Sequence, residues 1–185
     1  MVGHGMGSFL ARDYTEAYGN GFSGAVFMGT GYTTPRLDLG IAVSKYMADK
    51  YSKQRGELAD KIVFGAFNKK IDSANNKYDW ITTDKDMLNK YIDDEKCGFL
   101  FTNEGYRDLF LLIKSVNSNK WAKSLPHNLP MLLISGSDDP VGNYGKGVRK
   151  IYEMMLKAGC MNVDIKLLHG ARHEILNDVK REKVY

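Results

Sequence analysis

Hydrophobic positions along the chain switch between helical spacing and short continuous runs. From Met6 to Tyr18 the apolar residues recur three or four positions apart, which predicts a helix with one buried face that Gly19 ends. Within residues 23–30, the apolar run Ala25–Met28 lies between glycines, as expected for a strand that is buried on both faces. A helix followed by a buried strand is typical of a parallel α/β sheet.

The same pattern returns towards the carboxyl end. Met131–Ile134 and Val163–Leu168 have the length and composition of strands, and residues 148–158 between them have helical spacing that stops before Gly159. A last helix is expected to begin near Glu174. The sequence therefore predicts an α/β class with parallel strands joined by crossover helices.

Residues 32–120 interrupt this alternation, because they contain several helical patterns and no convincing strand. Helical spacing recurs over four stretches: 37–51, 57–71, a stretch that opens at the capping sequence Thr83-Asp84-Lys85-Asp86, and 106–116. Helices inserted after a sheet strand suggest a lid. We therefore expect residues 1–31 and 121–185 to form the sheet-based core, and residues 32–120 to form a helical lid or cap.

The expected lid is rich in aromatic side chains. The candidates are Phe64, Phe67, Trp80, Phe99 and Phe101. These rings could line a pocket for an acyl chain, or they could pack the lid against itself. Packing is the more frequent role of such side chains, so each ring taken alone favours the second interpretation.

Composition and charge narrow the class of protein. The 185 residues are 43% hydrophobic and 26% charged, which suits one globular core of ordinary size. The net charge of +4 is small and the lysines are scattered, so nucleic acid is not an expected partner.

Cys97 and Cys160 show no paired or metal-binding spacing, and we interpret them as reduced thiols. No signal peptide or apolar run of membrane-spanning length is visible, which makes the cytoplasm the expected location.

The first residues carry the most distinctive chemical pattern. Gly3-His4-Gly5-Met6-Gly7 has the form of Gly-x-Ser-x-Gly, a strained strand-to-helix turn on which hydrolases hold a nucleophilic serine. Glycine occupies the nucleophile position, and the backbone N–H of Met6 would be the oxyanion donor. Because Gly5 has no side-chain oxygen, no acyl-enzyme can form there. Ser8 is the nearest hydroxyl, but it lies a turn into the expected helix and should point elsewhere.

The same glycines could also belong to a phosphate-binding loop at a helix N-terminus. The match to a nucleotide loop is weak, because Lys-Ser/Thr is missing and no strand is evident before the turn. No metal-ligand spacing is present in the sequence. We therefore expect neither a cofactor nor a metal.

A carboxylate and a histidine follow in the order that a hydrolase triad requires. Asp138 and Asp139 come directly after the strand that begins at Met131, and His173 lies in the loop after the next strand. Because catalytic groups of open α/β sheets gather at the carboxyl ends of strands, the two loops can meet there. Either aspartate could instead be a turn residue before Pro140, and His173 could be a capping or surface histidine.

Three stretches together resemble the lysophospholipase and monoacylglycerol-lipase-like branch of the α/β-hydrolase superfamily, which is grouped with the serine aminopeptidases. They are Gly-His-x-Met-Gly-Ser at the start, Ser-Gly-Ser-Asp-Asp-Pro-Val-Gly over 135–142, and Gly-Ala-Arg-His-Glu over 170–174. The resemblance covers only the carboxyl-terminal part of the family, from the nucleophile turn onward. It implies that part of an α/β-hydrolase fold, with a helical lid insertion.

The resemblance also assigns roles to residues. It implies Gly5 at the nucleophile position, Asp139 as the acid and His173 as the base. Asp139 is preferred to Asp138 because the family motif places its acid directly before the Pro-Val-Gly segment. His173 matches the Arg-His-Glu position, which the rival imidazoles of His169 and His127 do not. His4 belongs to the turn and is expected to be structural.

The function implied is hydrolysis of an acyl ester or lipid, such as a lysophospholipid or monoacylglycerol, through a Ser-Asp-His triad. Because residue 5 is a glycine, we expect this chain to be an inactive or shortened variant of such a hydrolase. The alternative is a pseudo-hydrolase that binds a lipid or partner without turnover. The family's early strands have no counterpart here, so the strand Ala25–Met28 would present an unpaired edge. We therefore expect a homo-oligomer or a strand-exchanged dimer.

Overall fold

The computed structural model describes residues 1–71 and 74–185. A parallel sheet of four strands in the order β1-β2-β3-β4 organises the described chain. The strands are β1 (Val2–His4), β2 (Ala25–Met28), β3 (Met131–Gly136) and β4 (Val163–Leu168). The α-helices are α1 (Met6–Tyr18), α2 (Pro35–Tyr51), α3 (Glu57–Phe64), α4 (Lys85–Asp93), α5 (Asn103–Ser115), α6 (Asn119–Ser124) and α7 (Lys146–Lys157). The predicted parallel α/β class is confirmed.

The start of the chain corrects one expectation. Ala25–Met28 is not an unpaired edge, because β1 pairs with β2 in parallel and places Gly3 opposite Phe27. The unpaired edge lies on β1 instead. A three-residue strand that contains a glycine and a histidine has too little apolar pattern to be visible in the sequence. The turn at Gly5 therefore does follow a strand.

The main core lies where α1 and α7 pack against the sheet and α5 packs against α1. Phe27 and Leu133 pack from neighbouring strands, while Phe110 and Ile151 reach them from the helices, and all four are fully buried. Because β2 and β3 are covered by packed residues, the carboxyl ends of these strands hold the following loops at fixed positions.

A buried cation connects three parts of this core. The Arg12 guanidinium donates to Thr30 Oγ1 (3.2 Å), to the Gly31 carbonyl (3.2 Å) and to Asn117 Oδ1 (2.9 Å), and also bonds the Val116 carbonyl. Burial lowers the pKa of Arg12 to about 9, against a smaller raising effect from Tyr32, so the group stays protonated at neutral pH. Arg12 thus fixes α1 to the loop after β2 and to the α5–α6 turn.

The helical segment 32–120 differs in detail from its prediction. The helix expected over 57–71 ends at Phe64, and a 3-10 turn follows at Phe67–Lys70. Gly65 is a weak helix former, which accounts for the break. At the expected capping sequence, Asp84 is the N-cap and accepts from the Asp86 and Met87 N–H groups.

The carboxyl terminus also departs from its prediction. The expected helix from Glu174 does not form, and two 3-10 turns, Ile175–Asn177 and Arg181–Lys183, take its place. The Asp178 carboxylate lies between them and accepts from the Thr83 N–H (3.0 Å) and hydroxyl (2.9 Å). This long-range pairing outweighs the local helical preference. Among the described residues, no helix combines the length and apolar character that crossing a membrane requires.

Candidate active site

Gly5 forms the corner between β1 and α1. Its φ of 55° lies in the left-handed region, where glycine has no steric cost. The Gly5 N–H donates to the Met28 carbonyl (3.0 Å), and the Gly5 carbonyl accepts from both the N–H (3.0 Å) and the hydroxyl (2.6 Å) of Ser8. The Ser8 hydroxyl is therefore buried and engaged with the turn, so it is not a substitute for a nucleophile at position 5.

Asp139 lies just beyond β3 and is fully buried. Its Oδ1 accepts from the Val141 N–H (2.9 Å), and its Oδ2 accepts from the Ser135 hydroxyl (3.1 Å) and contacts His173 Nδ1 (3.0 Å). Asp138 is exposed and accepts from the Ser137 hydroxyl instead. Of the two neighbouring aspartates, Asp139 alone contacts the imidazole in the described structure.

His173 comes from the loop after β4 and faces the Gly5 corner. A Cβ atom on Gly5 would lie 3.0 Å from its Nε2 atom, while Nδ1 contacts Asp139 on the other side of the ring. The structure thus brings together positions 5, 139 and 173 at the carboxyl ends of β1, β3 and β4. His169 and His127, the rival imidazoles, are both exposed, and His127 packs against Gly159.

The electrostatic surroundings of His173 favour its protonated form. Burial alone lowers the pKa of His173, but the charge of Asp139, the hydrogen bond to it and the charge of Glu174 outweigh that effect. The net result is a pKa raised above its ordinary value of 6.5. Such an imidazole can hold a proton that it has received from a neighbouring hydroxyl.

Met6 begins α1, and its side chain is half-exposed. Because the first N–H groups of a helix have no intrahelical acceptor, the Met6 N–H is free of the helix ladder. It follows Gly5 directly. An oxyanion at that corner could accept from it.

Two glycines that the sequence analysis did not single out make the close approach to His173 possible. A Cβ on Gly29 would lie 3.0 Å from His173 Cε1, and Gly29 itself has a positive φ of 56°. A Cβ on Gly136 would overlap the Ala171 and Arg172 carbonyl oxygens. In the sequence, the available signal for both was a glycine at the carboxyl end of a buried apolar run.

The histidine loop is also attached to the helical segment. The Arg172 guanidinium donates to the carbonyls of Asp79 (2.6 Å) and Thr82 (3.0 Å). The Glu174 N–H donates to the Ile81 carbonyl (2.7 Å). Residues 79–82 therefore lie against the imidazole loop, a contact that the sequence analysis missed because these residues carry no catalytic pattern.

A row of aromatic rings leads from this contact into the helical segment. The ring centroids are 5.2 Å apart for Trp80 and His173, 5.0 Å for Phe67 and Trp80, and 5.1 Å for Phe64 and Phe67. Of the five aromatic candidates, Phe64, Phe67 and Trp80 therefore form this row. Phe99 and Phe101 contact each other 5.6 Å apart, and Phe99 is 59% exposed.

His4 contacts the same loop from β1. Its Nε2 lies 3.1 Å from the His173 carbonyl oxygen, and its Nδ1 lies 3.3 Å from Glu174 Oε1. The His4 and His173 ring centroids are 4.8 Å apart.

A separate groove of about 670 Å³, lined among others by Ala25, Met131 and Val163, lies at the amino ends of the strands and thus away from His173.

The sheet order and this arrangement of loops define an α/β-hydrolase fold. Residues 1–180 match the family described as serine aminopeptidase, S33, and the chain belongs to that family. No curated protein matches this sequence.

Solved structures share this fold. A carboxyl esterase from Bacillus coagulans is 29% identical with a TM-score of 0.91, and the match covers all of this chain and 60% of the esterase. A monoacylglycerol lipase from Paleococcus ferrophilus is 19% identical (TM-score 0.74; 99% and 63% covered) and shows the fold alone. So does a monoglyceride lipase from Saccharomyces cerevisiae, which is 19% identical (TM-score 0.72; 100% and 57% covered). The chain thus spans about 60% of the length of these relatives.

Proposed function

We propose that this chain carries the acid and base of a serine-type ester hydrolase site whose nucleophile position is occupied by glycine. Asp139 would hold the His173 ring in one tautomer and stabilise its protonated form, and Met6 would supply an oxyanion donor. Without an oxygen at residue 5, the chain forms no acyl-enzyme there and is inactive in serine-type hydrolysis. The observation that carries the proposal is a distance: a Cβ added at Gly5 would lie 3.0 Å from His173 Nε2.

The proposed ligand is an acyl ester or lipid. Trp80, Phe67 and Phe64 form a partly buried row that ends at His173, which would place an apolar acyl chain along the rings. The names of the structural neighbours, which are esterases and monoacylglycerol lipases, agree with an ester substrate. An acyl chain in this position would bring its carbonyl towards the Gly5 corner.

Restoring the missing oxygen tests the proposal. Gly5→Ser would place a hydroxyl beside Nε2, and Gly5→Ala is the matched control because it adds the same Cβ without the oxygen. Both changes carry a strain of about 1–3 kcal/mol from the positive φ, so folding is first checked by circular dichroism. We expect Gly5→Ser to hydrolyse p-nitrophenyl butyrate at least about 100-fold faster than Gly5→Ala, the lower range of a positioned general base.

A second change separates triad chemistry from nonspecific ester cleavage. Adding Asp139→Asn to Gly5→Ser keeps the shape of the side chain but no longer favours the required tautomer, and the rate should fall to that of Gly5→Ala. A folded Gly5→Ser protein that is no faster than Gly5→Ala would refute the proposal.

The alternative is a pseudo-hydrolase that binds lipid without turnover. Gly5 favours it, because the aromatic row can hold an acyl chain whether or not residue 5 reacts. Calorimetry with decanoic acid should then show binding by the unaltered chain, while p-nitrophenyl decanoate in the same buffer stays intact. Absence of binding would remove this alternative.

The proposed role of residues 32–120 is that of a lid over the site. Its support is the attachment of residues 79–82 to the histidine loop, where Trp80 contacts the imidazole. Trp80 fluorescence should respond to decanoic acid, and Trp80→Phe should abolish the response. Trp121 is fully buried in the core and should be silent.

The proposed partner of the β1 edge is a second copy of this chain. The opposite edge strand β4 exposes Asp164 and Lys166, charges that discourage strand pairing, whereas β1 exposes Val2. Light scattering after size exclusion should give the mass of a dimer. A monomer that remains folded at high concentration would contradict this.

A further inference from the structure

His4, His173 and Glu174 form a cluster of potential metal ligands at the end of β1. One ligand atom from each of these residues lies within 4.8 Å of the others. The sequence does not reveal the cluster, because β1 and the loop after β4 are brought together only by the fold. The inference drawn from it goes beyond the proposed function and does not depend on it.

The His4 ring is oriented as a metal-binding histidine is. Its Nε2 lies 3.1 Å from the His173 carbonyl oxygen, so an N–H at Nε2 can donate there and leave a lone pair on Nδ1. Nδ1 faces Glu174 Oε1 at 3.3 Å. Two ligands of a tetrahedral ion, each about 2.0–2.1 Å from it, lie about 3.3–3.4 Å apart, so this pair already has the required spacing.

His173 is prepared in the same way. Its Nδ1 donates to Asp139, so Nε2 is the nitrogen whose lone pair can bind an ion once its proton has been released. A histidine that gives its other N–H to a carboxylate is the usual arrangement around zinc, because the partner fixes the tautomer and makes the ring more basic. Residue 5 is a glycine, so no side chain from the turn competes for Nε2.

We propose that His4 Nδ1, His173 Nε2 and the Glu174 carboxylate bind a Zn²⁺ ion. Two imidazoles and one carboxylate are a donor set of zinc sites that keep an open fourth position. The ligand atoms lie within 4.8 Å of one another and must approach to about 3.3 Å to reach tetrahedral spacing. The side chains of His4 and Glu174 are 24% and 29% exposed and can move, while His173 is held by Asp139.

The first test measures zinc binding to the untagged chain by titration calorimetry at pH 7.5. We expect one ion per chain, and an affinity at least tenfold lower for His4→Ala and for Glu174→Gln. His127→Ala is the matched control, because it removes an imidazole that packs against Gly159 and should leave the affinity unchanged. No zinc binding, or equal binding by His4→Ala and the unaltered chain, would overturn the proposal.

The second test examines coordination. Co²⁺ in place of zinc should give the intense visible absorption of a tetrahedral ion, and Glu174→Gln should remove it. Asp139→Asn should weaken zinc binding about 10–100-fold, as loss of an outer partner does. Octahedral cobalt spectra, unchanged by Glu174→Gln, would contradict the site. Esterase assays of Gly5→Ser contain a chelator, so the outcome of each proposal is read separately.

Discussion

Gly5 and His173 face each other across the carboxyl end of the sheet, so that a Cβ on Gly5 would lie 3.0 Å from the imidazole Nε2. The other ring nitrogen contacts the buried Asp139 carboxylate at 3.0 Å. The imidazole is therefore positioned between an acid and a residue that has no side chain. This relationship makes the chemistry of the site depend on one atom at position 5.

The raised pKa of His173 predicts how the free energy of unfolding depends on pH. Because the folded pKa lies above the ordinary value of 6.5, the protonated pair with Asp139 stabilises the fold fully below about pH 6.5. That contribution is lost as the pH rises through the folded pKa. Urea unfolding should show the largest difference between the unaltered chain and His173→Gln near pH 6, and a smaller one at pH 8.5. His169→Gln, at an exposed position, should show no such trend.

Two glycines of the turn should respond in opposite ways to alanine. A Cβ on Gly3 would overlap the Gly7 carbonyl oxygen, so Gly3→Ala must separate β1 from α1 and should cost about 1–3 kcal/mol. A Cβ on Gly7 meets nothing within 4 Å, and Gly7→Ala in the helix should be neutral or stabilise by up to about 1 kcal/mol. Denaturant midpoints measure both. Equal midpoints for the two variants would show that α1 does not pack on β1 as described.

The aromatic row predicts a dependence on acyl length. In a Gly5→Ser background, Phe67→Ala should lower kcat/KM for p-nitrophenyl octanoate about tenfold, roughly 1.4 kcal/mol, and change the acetate ester little. Phe99→Ala, at an exposed ring outside the row, is the control and should leave the ratio of the two esters unchanged. If Phe67→Ala slows both esters equally, the acyl chain does not lie along the row.

Local patterns were enough to predict the interior of the fold. The apolar runs of β2, β3 and β4 match strands that the sheet buries. The helix α1 forms where its spacing predicted it, but the predicted buried face was wrong, because Met6, Leu10 and Tyr14 are about half exposed and the buried face carries Phe9 and Arg12 instead. Residues 139 and 173 each follow a predicted parallel strand, and this position likewise predicted that they would lie together. Their catalytic roles stay predictions.

The remaining features depend on contacts between distant residues. β1 is too short to show a pattern and exists because β2 supplies its hydrogen bonds. The carboxyl-terminal turns follow Asp178 and its bonds to Thr83, and the position of residues 79–82 follows Arg172. The Asp178 and Arg172 bonds each join residues more than ninety positions apart, and local propensity carries no information about them.

Covalent labelling measures the central claim most directly. A fluorophosphonate reacts with a serine only when a base activates it, so intact-mass analysis after treatment reports on residue 5. The account predicts no adduct on the unaltered chain or on Gly5→Ala, and one adduct, located on residue 5, for Gly5→Ser. An adduct on the unaltered chain, or none on a folded Gly5→Ser protein, would contradict it.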